Sequence, residues 1–298
     1  RVEFIRESLQ ELDGALRALS GHPQAGLIVR HAVACEEIVY LAQALKAQAV
    51  FAGRDYEPQA LNRDEQVRGA LASAGIVFET CKDQVIFERR DILTQSGTVY
   101  GVFTPYKNNW LSRLEPHHLL DHQITSRAAG LAPRPPALQT AVPRLTDIGF
   151  EASNLPTLKI PTGESGAHQL FEAFFERMDD YHATRDFPAV RGPSYLGVHL
   201  RFGTVSIRRL VATAWQRQLA GSQGAAVWLS ELVWRDFYFS ILANFPHVAT
   251  QAFKPEYDAI QWDRGPHADT LFAAWCAGQT GYPLVDADGN SRPDVAWP

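Results

Sequence analysis

Apolar positions along the chain change their spacing several times, and each change marks an element. Phe4, Ile5, Leu9, Leu12, Leu16 and Leu19 recur at intervals of three and four, the period of an amphipathic helix. The next apolar run, Gly26-Leu27-Ile28-Val29, is short and continuous and predicts a buried strand. The alternation repeats with a helix through Glu36 to Leu45, a strand at Ala49 to Ala52, a helix from Leu61 to Ala72 and a strand at Ile76 to Phe78. Helices alternating with short apolar strands predict parallel β-α units, so residues 1–125 are expected to form an α/β domain built on an open, doubly wound, Rossmann-like sheet. No GxGxxG fingerprint occurs, so the pattern locates a ligand no more closely than the carboxyl ends of the strands.

Residues 126–165 shift to Pro, Thr and small side chains, with Pro133, Pro135, Pro136, Pro143, Pro156 and Pro161, and read as an inter-domain linker running over the surface. Beyond it the period is helical. Leu170, Phe171, Phe174 and Phe175 share one side of the next helix, and residues 166–298 are expected to form a mainly helical second domain.

Composition fits this organisation: 46% of the 298 residues are hydrophobic and 20% charged, the balance of a soluble globular chain. No apolar run approaches the roughly 20 residues that cross a bilayer, and no secretory pattern opens the chain, so a cytoplasmic, membrane-free protein is expected, acting as a monomer. A net charge of -5 argues against nucleic-acid binding by global charge. Locally the balance reverses: Arg185, Arg191, Arg201, Arg208, Arg209 and Arg217 face one acid, Asp186, in a stretch that suits phosphate contact or a solvated surface. Cys35, Cys81 and Cys276 show no CxxC spacing, and neither they nor His117, His118 and His122 are expected to hold a metal.

The segment Ala226 to Leu242, AVWLSELVWRDFYFSIL, is apolar nearly all round and predicts a buried helix. At about 100° per residue Trp228, Glu231, Trp234, Arg235 and Tyr238 fall within an arc of about 120°. Such a face suits a planar ligand with polar edges. It equally suits an intrahelical Glu231–Arg235 ion pair with tryptophans filling the core.

Five ordered segments resemble the photolyase and cryptochrome family: TPYKNNWLSRL from Thr104, YHATRDFPAV from Tyr181, SYLGVHLRFGTVSIRRL from Ser194, VWLSELVWRDFY from Val227, and Gln261-Trp262 followed by GQTGYPLVDA from Gly278. The likeness is strongest to bacterial class I cyclobutane pyrimidine dimer photolyases. It implies an N-terminal antenna domain and a helical FAD-binding domain, with FAD contacted by Tyr181, Ser194, Leu196, Trp228, Glu231 and Arg235. It implies light-driven electron transfer from reduced FAD to a pyrimidine dimer flipped out of UV-damaged DNA, a base-flipping mode for which photolyases are a standing example. By the same resemblance Glu231 and Trp234 face the lesion, Arg185 holds a backbone phosphate, and Trp262 is the surface end of a tryptophan chain that reduces the flavin. Ser194 taken alone reads as an ordinary helix N-cap. A cryptochrome-type photosensor and an inactive fragment are the alternatives.

Some positions depart from the family pattern. Pro193 stands where a threonine is usual and Gly197 where a second serine is usual, each removing a phosphate contact worth about 0.5–1.5 kcal/mol. Thr98, Val99, Ala249 and Thr250 stand where folate-binding relatives carry polar ligands, which disfavours a folate antenna and leaves a deazaflavin or none. Residue 1 is Arg, the one methionine is Met178, and the last residues, DGNSRPDVAWP, leave the family pattern. The resemblance therefore implies a chain truncated at both ends, with 288–298 an out-of-frame tail and FAD binding and repair weakened.

Overall fold

A computed structural model describes residues 1–287 apart from 121, 123 and 159; the atypical tail lies outside the described residues. Two strands, β1 (Ala49–Gly53) and β2 (Val77–Cys81), pair in parallel with Ala49 opposite Val77 and Gly53 opposite Cys81. Helices α2 (Ala34–Ala44) and α3 (Pro58–Ser73) supply the other half of that unit, and its small core gathers Ala42, Val67, Leu71, Ile76 and Phe78. Pro58 suits the first turn of α3, where no intrahelical partner for its missing N–H is needed.

The strand expected at Gly26 to Val29 does not form, and among the described residues the sheet has two strands. The backbone of this segment is satisfied by side chains instead. Leu27 N–H donates to Asp13 (2.8 Å), and the Leu27 and Gln24 carbonyls accept from buried Arg134 (2.7 and 3.1 Å).

Helix α1 (Val2–Ser20) lies against the helical body, with Phe4 buried beside His199 and Phe202. Its polar face caps the N-terminus of α5 (Gly163–Phe175). Gly163 N–H donates to the Ser8 hydroxyl (3.1 Å), Ser165 N–H to Glu11 (2.8 Å) and the Thr162 hydroxyl to Glu7 (2.9 Å). The segment expected as a linker, ahead of α5, contains the 3₁₀ turns Pro136–Leu138 and Leu145–Ile148 and most of Thr125–Gly130.

The large core forms where α4 (Phe103–Arg113), α5, the short α6 (Tyr181–Thr184) and α7 (Gly197–Phe202), and α8 (Ile207–Leu219) pack around α9 (Gln223–Asn244). Ile86, Phe87 and Ile92, from the loop after β2, enter this same core. The Ser222 hydroxyl caps α9 by accepting from Ala225 N–H (3.1 Å). Helices α10 (Pro266–Cys276) and α11 (Pro283–Ala287) follow.

Candidate active site on the central helix

Helix α9 distributes its polar side chains to several neighbours. Glu231 does not take Arg235, so the intrahelical pair is absent. It accepts instead from Arg185, at the end of α6 and 46 residues away, at 2.5 Å. Arg185 also lies over the Tyr181 ring (5.8 Å) and 3.4 Å from Asp186. The bond to Glu231 raises the Arg185 pKa, while burial, followed by the Glu231 charge, raises that of Tyr181. The Arg185 and Glu231 side chains are 33% and 38% exposed, so this edge stays open to solvent.

Two glycines hold that edge together. A Cβ at Gly224 would stand 2.1 Å from the Met178 carbonyl oxygen, so α9 begins directly on the backbone turn that leads into α6. A Cβ at Gly192 would meet the Thr184 carbonyl at 2.6 Å, where the loop after Arg185 folds back.

Behind the edge sit Trp228 and Leu196, 3% and 0% exposed. Trp228 packs on Phe174 (4.7 Å) and Phe171 (6.2 Å) of α5. Both residues therefore lie behind the open edge as its packed floor. The Ser194 hydroxyl accepts from Leu196 N–H at 3.4 Å, and Tyr195 between them adopts the left-handed region at φ +57°. A non-glycine residue there costs about 1 kcal/mol or more and marks a loop held by its surroundings.

Trp234 is half-buried and stacks on Phe103 of α4, ring centroids 3.5 Å apart and 9° from parallel. Exposed Tyr238, one turn on, lies at 5.4 Å and 23°. Phe103 thus covers one face of the ring expected to receive the lesion. Trp262 is 72% exposed and makes no ring contact with these aromatics among the described residues.

Arg235 turns away from Glu231. Its guanidinium lies over Phe239 (4.7 Å) and donates to the Gln84 carbonyl, with burial lowering its pKa. It also borders a cavity of about 810 Å³ between the α/β unit and the helical body, lined by Asp83, Gln84, Phe171, Arg201 and Arg208. Ser194, Glu231 and Trp234 do not line that cavity. The arginines of the basic stretch take separate partners, Arg201 pairing with Glu57 (2.8 Å), Arg217 with Asp179 (3.3 Å) and Arg208 donating to the Lys82 carbonyl (3.3 Å), while Arg201, Arg208 and Arg209 all border the cavity.

Sequence reasoning missed Asp236, which lies outside the chosen arc. It is 1% exposed and accepts from Ile86 N–H (3.0 Å), Phe87 N–H (3.2 Å) and the Trp110 indole N–H (3.1 Å). Desolvation pushes its carboxyl up to about 6 against these donors. The signal that could have found it was a second acid, off the Glu231 face, in an otherwise apolar helix.

The fold is that of photolyases and cryptochromes. A bacterial class III photolyase from Agrobacterium tumefaciens superposes with a TM-score of 0.78 at 24% identity, over 95% of this chain and 57% of that one. A family model for DNA photolyase matches residues 1–126, and one for the FAD binding domain of DNA photolyase matches residues 228–289. Deoxyribodipyrimidine photo-lyases from Synechococcus sp. and Vibrio cholerae are 32% and 31% identical over the whole chain. The chain is similar to the DNA photolyase family, and it spans 61% and 62% of the length of those two relatives. Among the described residues no helix is long and apolar enough to cross a membrane.

Proposed function

We propose that the chain serves light-driven repair of cyclobutane pyrimidine dimers in UV-damaged DNA, with FAD as its redox cofactor. The observation that carries this reading is the solvent-open edge where Arg185, Glu231 and Tyr181 meet beside the Trp234–Tyr238 aromatics. A guanidinium beside stacked rings is the pairing that holds an unstacked base and its phosphate.

The donor set fits FAD. Tyr181 and Ser194 offer hydroxyls for phosphate oxygens, Glu231 accepts from a ring N–H, and Trp228 with Leu196 backs the seat. When bound and reduced, FAD supplies the electron that opens the cyclobutane ring. The protein's part is to admit the flipped dimer against Trp234, hold its phosphate with Arg185 and face its polar edge with Glu231. Access to Trp234 requires Phe103 to yield or the dimer to approach the ring's other side. Trp262, exposed at the surface, suits the outer end of a tryptophan chain that reduces the flavin. The cavity bounded by Arg201, Arg208 and Phe171 suits a second, planar, anionic pigment acting as an antenna.

Two measurements test the reading. Fluorescence anisotropy is expected to show tighter binding of a dimer-containing single strand than of its undamaged counterpart, with the preference lost in Trp234→Ala and Arg185→Ala; equal affinities overturn the lesion site. With FAD supplied and reduced, blue light is expected to remove dimers from a UV-treated oligonucleotide. Flavin uptake without repair turns the assignment to a photosensor, and absence of uptake overturns the cofactor.

A further inference from the structure

Asp236 is a buried carboxylate that the proposed repair chemistry does not use, yet it joins three separate parts of the chain. Its Oδ2 accepts from Trp110 on α4 and from the Ile86 and Phe87 amides after β2. The same segment is gripped at two further points, with Arg235 donating to the Gln84 carbonyl and Asn244 to the Arg89 carbonyl (2.8 Å). Helix α4 touches α9 a second time through Phe103, seven residues before Trp110, whose ring lies flat on Trp234. Seven residues are two turns, so Phe103 and Trp110 share one face of α4. Anchoring Trp110 therefore fixes where Phe103 stands, and with it the ring of Trp234.

We propose that Asp236 is a positioning residue for Trp234: by holding Trp110 and the Ile86 and Phe87 amides it fixes the register of α4 against α9, and so the geometry of the Phe103–Trp234 stack. Asp236 touches no ligand in this scheme. Its connection to lesion binding rests on the reading of Trp234 given above, whereas the geometric link stands without it. Asparagine keeps the shape and one acceptor but loses the charge that strengthens all three bonds, and glutamate keeps the charge on a longer arm.

The test is the near-UV circular dichroism of Trp234, taken as wild type minus Trp234→Phe. Asp236→Asn is expected to lose most of this difference spectrum while the far-UV spectrum is kept, and Asp236→Glu is expected to restore part of it. An unchanged difference spectrum in Asp236→Asn overturns the proposal. Should that variant fail to fold, the wild-type difference spectrum is followed from pH 8 to pH 5 in a His118→Gln background, because His118 packs on Phe87 and its own pKa is lowered by burial. Arg235 on α9 and Tyr106 on α4 also sense the Asp236 charge, and Asp83 faces Arg235. The signal is expected to change with a midpoint near the Asp236 value of about 6, and a flat titration overturns the proposal. Dimer binding is measured in parallel. Loss of the Trp234 signal without any dimer preference in wild type condemns the lesion site and leaves the positioning role standing.

Discussion

Replacing Gly224 with alanine probes the point on which the whole edge depends. The added Cβ would meet the Met178 carbonyl oxygen at 2.1 Å and the Asp179 carbonyl oxygen at 2.3 Å, both backbone atoms. Ordinary contact lies near 3.5 Å, so α9 and the preceding turn must part by roughly 1 Å, and no rotamer change can absorb this. Overpacking of this kind costs about 1–3 kcal/mol, set against at most about 1 kcal/mol from the better helix propensity of alanine. Thermal unfolding followed by far-UV circular dichroism is expected to fall by about 2–4 °C for each kcal/mol lost. Gly69→Ala, a mid-helix site with nothing within 4 Å of its Cβ, serves as the control and is expected to gain about 0.5–1 kcal/mol. Because the turn leads directly into Tyr181 and Arg185, the displaced helix is also expected to weaken the Arg185–Glu231 pair and the dimer preference that rests on it. A Gly224→Ala protein that melts at or above wild type refutes the close approach and the reasoning built on it.

The Arg185–Glu231 pair is about a third exposed, so a double-mutant cycle with Arg185→Ala and Glu231→Gln is expected to give a coupling below about 1 kcal/mol that shrinks in high salt; a large, salt-insensitive coupling refutes an open edge. Asp236 predicts an unusual pH dependence. Its folded pKa, about 6, lies above the ordinary 3.8, so its stabilising contribution is full below pH 3.8 and is lost as pH rises through 6. Referenced to Asp236→Asn, wild type is expected to gain up to about 3 kcal/mol between pH 7 and pH 4, at about 1.36 kcal/mol per pKa unit; denaturant melts at fixed pH measure it, and a constant difference refutes the raised value.

The sequence rules located what is local. Helices α2 and α3 and strands β1 and β2 follow the period of their apolar positions, and each lies within a few residues of its expected place. The failure at Gly26 to Val29 has a definite cause. A continuous apolar run states that a segment avoids water, whereas a strand also needs a neighbour for its ladder, and here Asp13 and Arg134 satisfy the backbone instead. Helix α1 shows the same limit, since its period identifies a buried face but not the partner, and Phe4 on that face packs against His199 and Phe202 of α7, more than 190 residues away.

The polar residues of α9 make the point most sharply. An acid or a guanidinium in an apolar helix has to find a partner, because an unpaired buried charge costs several kcal/mol. The i, i+4 rule offered Glu231 and Arg235 to each other, as the nearest solution on one helix. The fold instead sends Glu231 to Arg185, Arg235 to Gln84, Asp236 to Ile86, Phe87 and Trp110, and Asn244 to Arg89. Each of these partners lies on a segment that α9 holds in place: the turn carrying Arg185, the loop after β2, or helix α4 through Trp110. The polar exceptions in α9 therefore serve two ends on one helix: Glu231 meets the open edge, and the other three fix the frame in which that edge and the Trp234 ring are presented.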